Sequence, residues 1–139
     1  MEARVTLTDG MHFDARLDTG YKLEFEPAPE HGGTGRGTSP MGVVLAALAG
    51  CTAFDVITIL RKAHQEVTGL EVSARGERTH KDPKVFTRIQ VEYLVRGRNI
   101  SEDTVKRAID LSEEKYCSVA AMLKKAVPIE ISYRVEQEA

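Results

Sequence analysis

Short alternating runs, one long apolar run and a second set of alternating runs divide the chain from end to end. Residues Arg4 to Thr8, His12 to Leu17 and Tyr21 to Glu26 alternate apolar and polar side chains, the period of half-buried strands. Asp9-Gly10 and Thr19-Gly20 between them carry the residues that tight turns use. From Pro27 to Ser39 two prolines and four glycines predict a loop. Thr38-Ser39-Pro40 then announces a helix, with Ser39 placed to cap free amides and Pro40 at the first helical position. The apolar run predicts that helix to about His64. Val43, Val44, Leu45, Leu48, Phe54, Val56, Ile57, Ile59 and Leu60 occupy nearly all its sides, so it reads as a central helix covered by several layers.

Beyond it, Leu70 to Thr79 and Val85 to Arg96 read as two long strands of an antiparallel hairpin joined at Lys81-Asp82-Pro83. Ser101, followed by Glu102 and Asp103, opens a helix to about Tyr116. Ser118 signals another short helix over Val119 to Ala126, ended near Pro128. Ile129, Ile131, Tyr133 and Val135 alternate as a final strand. The expected order βββ-α-ββ-αα-β is that of a single α+β domain over residues 1–139, with a curved, mostly antiparallel sheet and a long central helix. One modest sheet covers only one side of such a helix, which predicts an intertwined homodimer.

Composition narrows the function classes. The chain has 139 residues, 42% apolar and 29% charged, enough for one sizeable core. A formal charge of −2 gives no field that gathers phosphates, so nucleic acid is not an expected partner. Met41 to Leu60 is nearly uncharged over a membrane-spanning length, but Asp55 within it favours burial in protein over lipid. The first ten residues carry two acids and no apolar segment of the secretory type, so a cytoplasmic location is expected.

The candidate chemistry lies in two cysteines, Cys51 and Cys117. Their number and separation fit neither a disulfide scaffold nor a zinc site, and His12, His31, His64 and His80, all read as surface residues, have no ligand spacing. No metal or cofactor is called for. Cys51 lies mid-helix between small residues, and on position alone a packing role competes with a chemical one. Cys117 sits where two helices meet, beside free amides and near Lys115, a setting that favours thiolate. The loop GGTGRGT before the long helix nearly matches a phosphate-binding spacing, but the lysine after Gly37 is absent. It reads better as a flexible pocket rim than as an anion site.

The segments SPMGVVLAALAGCTAFDVITIL, VFTRIQVEYLVRGR and EKYCSVAAMLKKAV resemble the OsmC/Ohr family, most closely its YhfA-type branch, over nearly the whole chain. The resemblance implies an intertwined α+β homodimer and a thiol peroxidase acting on organic hydroperoxides. By that analogy Cys51 attacks the peroxide and becomes a sulfenic acid, and Cys117 closes a Cys51–Cys117 disulfide. A dithiol of dihydrolipoyl type then resets the pair. Family peroxidases place a glutamate just after the helix-opening proline and pair it with an arginine. Met41 and Gly42 occupy those positions here. Arg36 and Arg88 are the candidate arginines, and Glu113 or Glu114 a carboxylate from another direction. Asp55, one helical turn past Cys51, reads as a buried acid paired with an Arg or Lys. The rival reading is a redox-sensing or binding protein with little turnover.

Overall fold

A computed structural model describes residues 1–139 as two compact units, Met1–Val44 and Leu45–Ala139. In the first, strands β1 (Ala3–Asp9), β2 (His12–Leu17) and β3 (Lys22–Phe25) form an antiparallel meander in that order. The loop that follows contains one short 3₁₀ turn at Pro29–His31, which the glycine and proline content had hidden. Gly37 passes so close to β3 that a Cβ there would lie 2.9 Å from the Glu26 nitrogen, so a larger residue would push the loop off the strand.

Helix α1 (Pro40–Lys62) starts where the Ser39-Pro40 signal puts it, and the Gly42 amide donates to Ser39 Oγ at 3.0 Å. Its burial departs from expectation. Within this chain only Leu48, Thr52, Val56 and Leu60 are buried, a single i, i+4 stripe, while Phe54 is 76% exposed. The helix is therefore sheathed on one side and apolar on the other. By length and composition it is also apolar enough to cross a membrane.

The second unit pairs β4 (Glu66–Arg78) antiparallel with β5 (Phe86–Arg98), and β5 in turn pairs parallel with β6 (Ile129–Gln137). Between β5 and β6 run α2 (Glu102–Leu111), a widened π turn at Ser112–Tyr116, and α3 (Ser118–Leu123). The strands thus form two three-stranded sheets, β1-β2-β3 and β4-β5-β6, where one curved sheet was expected. The central position of β5 explains its burial, because both edges are hydrogen-bonded and Ile89, Val91, Tyr93 and Val95 face the core. There they meet Leu48, Val56 and Leu60 of α1 and Val105, Ala108 and Ile109 of α2.

Candidate functional site

Cys51 and Cys117 come together in the second unit. Cys51 is half-buried on α1 and packs against the core, and Cys117 is only 2% exposed at the start of α3. Both are free thiols, and Cys51 lies near enough to help raise the Cys117 thiol. Cys117, rather than the expected Ser118, caps α3. Its extended backbone (φ −75°, ψ 103°) aims the sulfur at the Ala120 amide, which donates to Sγ at 3.4 Å.

The expectation of a Cys117 thiolate is not met. Burial pushes its thiol up to about 12; the Ala120 amide opposes that shift, and Cys51 and Glu113 reinforce it. A six-residue helix supplies too little field to offset desolvation, and Lys115 points elsewhere, its ammonium 5.2 Å from the Tyr116 ring centre.

A buried run of hydroxyls lies beside the cysteines, and sequence patterning missed it. Thr52 Oγ1 is 2.7 Å from Tyr93 OH and 2.7 Å from Ser112 Oγ. Tyr93 OH lies 3.3 Å from Glu113 Oε1, and Ser112 Oγ donates to Asp55 Oδ2 at 2.9 Å. Tyr93, Thr52 and Ser112 are all fully buried. The π turn ties this region to Cys117, whose amide donates to the Ser112 carbonyl at 2.8 Å. The one available signal was Thr52 itself, a polar residue on the Leu48–Val56–Leu60 stripe.

The auxiliary candidates separate. Of the two acids before Cys117, Glu113 faces the hydroxyls and Glu114 is exposed to solvent. Burial pushes Glu113's carboxyl above the usual range, against the opposing pull of Tyr93 and Lys124. Arg88 is bound on the sheet surface, its Nε 2.8 Å from Glu130 and its Nη1 3.7 Å from Glu77. Asp55 is half-buried, and its partner is the Ser112 hydroxyl instead of an Arg or Lys, because Ser112 lies against the same turn of α1.

Arg36 belongs to the first unit, where Nη2 is 2.8 Å from Asp9 and Nε donates to Thr34. The glycine loop there does hold an anion, one the chain supplies itself. The Thr34 amide (2.8 Å), Thr34 hydroxyl (2.8 Å) and Arg36 amide (3.1 Å) all donate to the buried Glu26 carboxylate. Burial works against that charge, but these amides, His12 and the hydroxyl hold the Glu26 carboxyl down at about 2. His12 is buried too, contrary to its reading as a surface residue. Nδ1 is 2.8 Å from Glu26 and Nε2 3.0 Å from Glu24, carboxylates on or beside the neighbouring strand that make an imidazole tolerable in the interior. His12, Asp14 and Glu24 are of metal-ligating type and close enough to share an ion. The Lys22 ammonium already pairs with two of them, 3.2 Å from Asp14 and 3.8 Å from Glu24.

Comparison with known proteins places this geometry in a family. The family model for OsmC-like proteins matches residues 33–132. Protein YhfA of Escherichia coli K12 is 43% identical over 136 residues, 97% of this chain and 98% of that protein. A hypothetical protein from Aquifex aeolicus VF5 superposes with a TM-score of 0.87 at 30% identity, covering 99% of this chain and 97% of that one. An organic hydroperoxide resistance protein from Elizabethkingia anophelis shares the fold at TM-score 0.71 and 14% identity, covering 98% and 97%. The chain belongs to the OsmC-like protein family.

Proposed function

We propose that the protein is a thiol-dependent peroxidase that reduces organic hydroperoxides through the Cys51–Cys117 pair. Family membership points to a redox or peroxide-stress role, and one solved relative of the same fold is an organic hydroperoxide resistance protein. The observation that carries the reading is the meeting of two free thiols on one core cluster, Cys51 half-buried and Cys117 buried, with Cys51 helping to raise the Cys117 thiol.

Their environments divide the labour. Cys117, held as a thiol by burial, is the poorer nucleophile at neutral pH. Cys51 therefore attacks: Cys51–S⁻ + ROOH + H⁺ gives Cys51–SOH and ROH. The sulfenic acid then condenses with the Cys117 thiol, forming the S–S bond and releasing water. An external dithiol reduces the disulfide by exchange, itself becoming a disulfide. With Met41 and Gly42 in place of the acid, Glu113 of the π turn, bonded to Tyr93, is the carboxyl to which this reading gives that role. The uncovered apolar side of α1, with Phe54 76% exposed, favours a working homodimer, and the cytoplasm, where small dithiols are available, is the fitting compartment.

Hydroperoxide consumption coupled to a dithiol tests the reading. It requires turnover by the wild type and none by Cys51→Ser. A second reading, a redox sensor that oxidises once and recycles slowly, is favoured by Met41 and Gly42 standing in place of the acid. The same assay separates the two, since a sensor consumes one equivalent of peroxide and stops.

A further inference from the structure

The hydroxyl run beside the cysteines has a proton count that does not close by itself. Five groups, Glu113, Tyr93, Thr52, Ser112 and Asp55, make four consecutive contacts at 3.3, 2.7, 2.7 and 2.9 Å. Each hydrogen bond needs one proton. Tyr93, Thr52 and Ser112 supply one apiece, and ionised carboxylates supply none. With both ends ionised, one contact would set two oxygen lone pairs face to face, in a region where Tyr93, Thr52 and Ser112 are fully buried. A fourth proton on a terminal carboxyl removes the conflict.

We infer that Glu113, Tyr93, Thr52, Ser112 and Asp55 form a proton relay that carries one excess proton between the cysteine pair and the surface. With the proton on Glu113 the chain runs one way: Glu113 donates to Tyr93, Tyr93 to Thr52, Thr52 to Ser112, and Ser112 to Asp55. If every proton moves across one contact, the excess proton arrives on Asp55, and all four bonds survive with their directions reversed. Both Thr52 contacts admit either donor, as this requires, while the end contacts, in which Tyr93 donates to Glu113 and Ser112 to Asp55, reverse only when the carboxyl concerned takes the proton. Burial raises Tyr93 far above an ordinary phenol, so it passes a proton while staying neutral overall.

The two ends have different surroundings. Asp55 is half-buried and lines a cleft with Phe54, Thr58, Lys62 and Tyr116, the outer end of the run within this chain. Glu113 faces Tyr93 of β5, the Cys117 cap of α3 and, just past α3, Lys124, whose Nζ donates to the Glu113 carbonyl at 3.0 Å. Burial pushes the Glu113 carboxyl up, and this is the end of the run to which we assign the extra proton.

The use of the relay rests on the peroxidase reading. When the Cys51 thiolate cleaves ROOH, the alkoxide needs a proton to leave as ROH. Glu113 releases one at the cysteine end and is reloaded through Thr52 from Asp55. The balance closes when the dithiol regenerates the Cys51 thiol, which loses its proton before the next attack.

The test is a count of protons and needs no turnover. Infrared titration of the reduced protein, with Glu113→Gln to assign the band, should find Glu113 protonated at neutral pH. Thr52→Val cuts the relay into two pairs, each with one hydroxyl and one contact, so the excess proton is no longer required. The Glu113 pKa should then fall by about one unit or more, a tenfold loss of proton affinity. Thr52→Ser should restore it. Ser112→Ala makes the same cut at the other side of Thr52 and serves if Thr52→Val does not fold. An ionised Glu113 at neutral pH in the wild type, or a titration indifferent to these cuts, overturns the relay. Hydroperoxide turnover by the same proteins judges the peroxidase reading separately, because an inactive wild type with the expected titration keeps the relay and removes its proposed use.

Discussion

If Thr52 and Tyr93 are bonded in the core, their removal must be non-additive. Thr52→Val preserves shape and removes two contacts of 2.7 Å, while Tyr93→Phe removes one of those same contacts and the longer one to Glu113. A neutral buried hydrogen bond contributes about 1 kcal/mol net. Thr52→Val should thus cost about 2 kcal/mol, moderated because Ser112 keeps Asp55 as a partner and Tyr93 keeps Glu113. Tyr93→Phe should cost about 1.5 kcal/mol. The double variant should cost about 1 kcal/mol less than the sum, since the shared contact is lost only once. Urea denaturation followed by circular dichroism, at one fixed protein concentration so that any oligomer contributes equally, yields all four stabilities. Additivity to within about 0.3 kcal/mol would refute the bond.

Other consequences are open to simple tests. The first unit should be sensitive to pH at both ends. The Glu26 carboxyl is held at about 2 against an ordinary 4.5, so its contribution is present above about 4.5 and lost as pH falls towards 2. His12 is raised above 6.5, chiefly by its bond to Glu26, so its contribution is complete below 6.5 and lost as pH climbs through the raised value. Stability measured across pH should have both limbs, Glu26→Gln flattening the acid one and His12→Gln the alkaline one; an unchanged profile in either variant refutes the corresponding pairing. Phe54→Glu, a charge placed on the exposed face of α1, should convert a dimer to monomers in sedimentation velocity. A dimer that survives unchanged would mean that this face is not the interface.

Local signals were legible in the chain; long-range pairing was not. Helix α1 begins at Pro40 because its start is written in adjacent residues, the Ser39 cap and a proline with no amide to leave unpaired. α2 follows Ser101 for the same reason, with the Thr104 amide donating to its hydroxyl. β4 begins at Glu66, four residues before the apolar pattern, because its partner residues up to Arg98 on β5 extend the ladder whatever the polarity of Glu66 and Thr68. The burial of His12 depends on Glu24 and Glu26 across a strand pair, which alternation along a single strand does not encode. The site divides in the same way. Both cysteines stood out as residue types, but the hydroxyl run joins positions 41 and 60 apart in sequence, and Ser and Thr count as polar in any hydrophobic pattern. The inside stripe of α1 was also overstated, because apolar residues surround the helix while this chain covers only one side.

The central claim is that Cys51 and Cys117 act as one redox pair. Intact-mass analysis of the reduced protein after one equivalent of an alkyl hydroperoxide tests it most directly. The wild type should lose two hydrogens as the disulfide closes, Cys117→Ser should gain a single oxygen on Cys51, and Cys51→Ser should remain unmodified. Oxygen addition at Cys117 in the Cys51→Ser protein, or a wild type that keeps both thiols, would contradict the account.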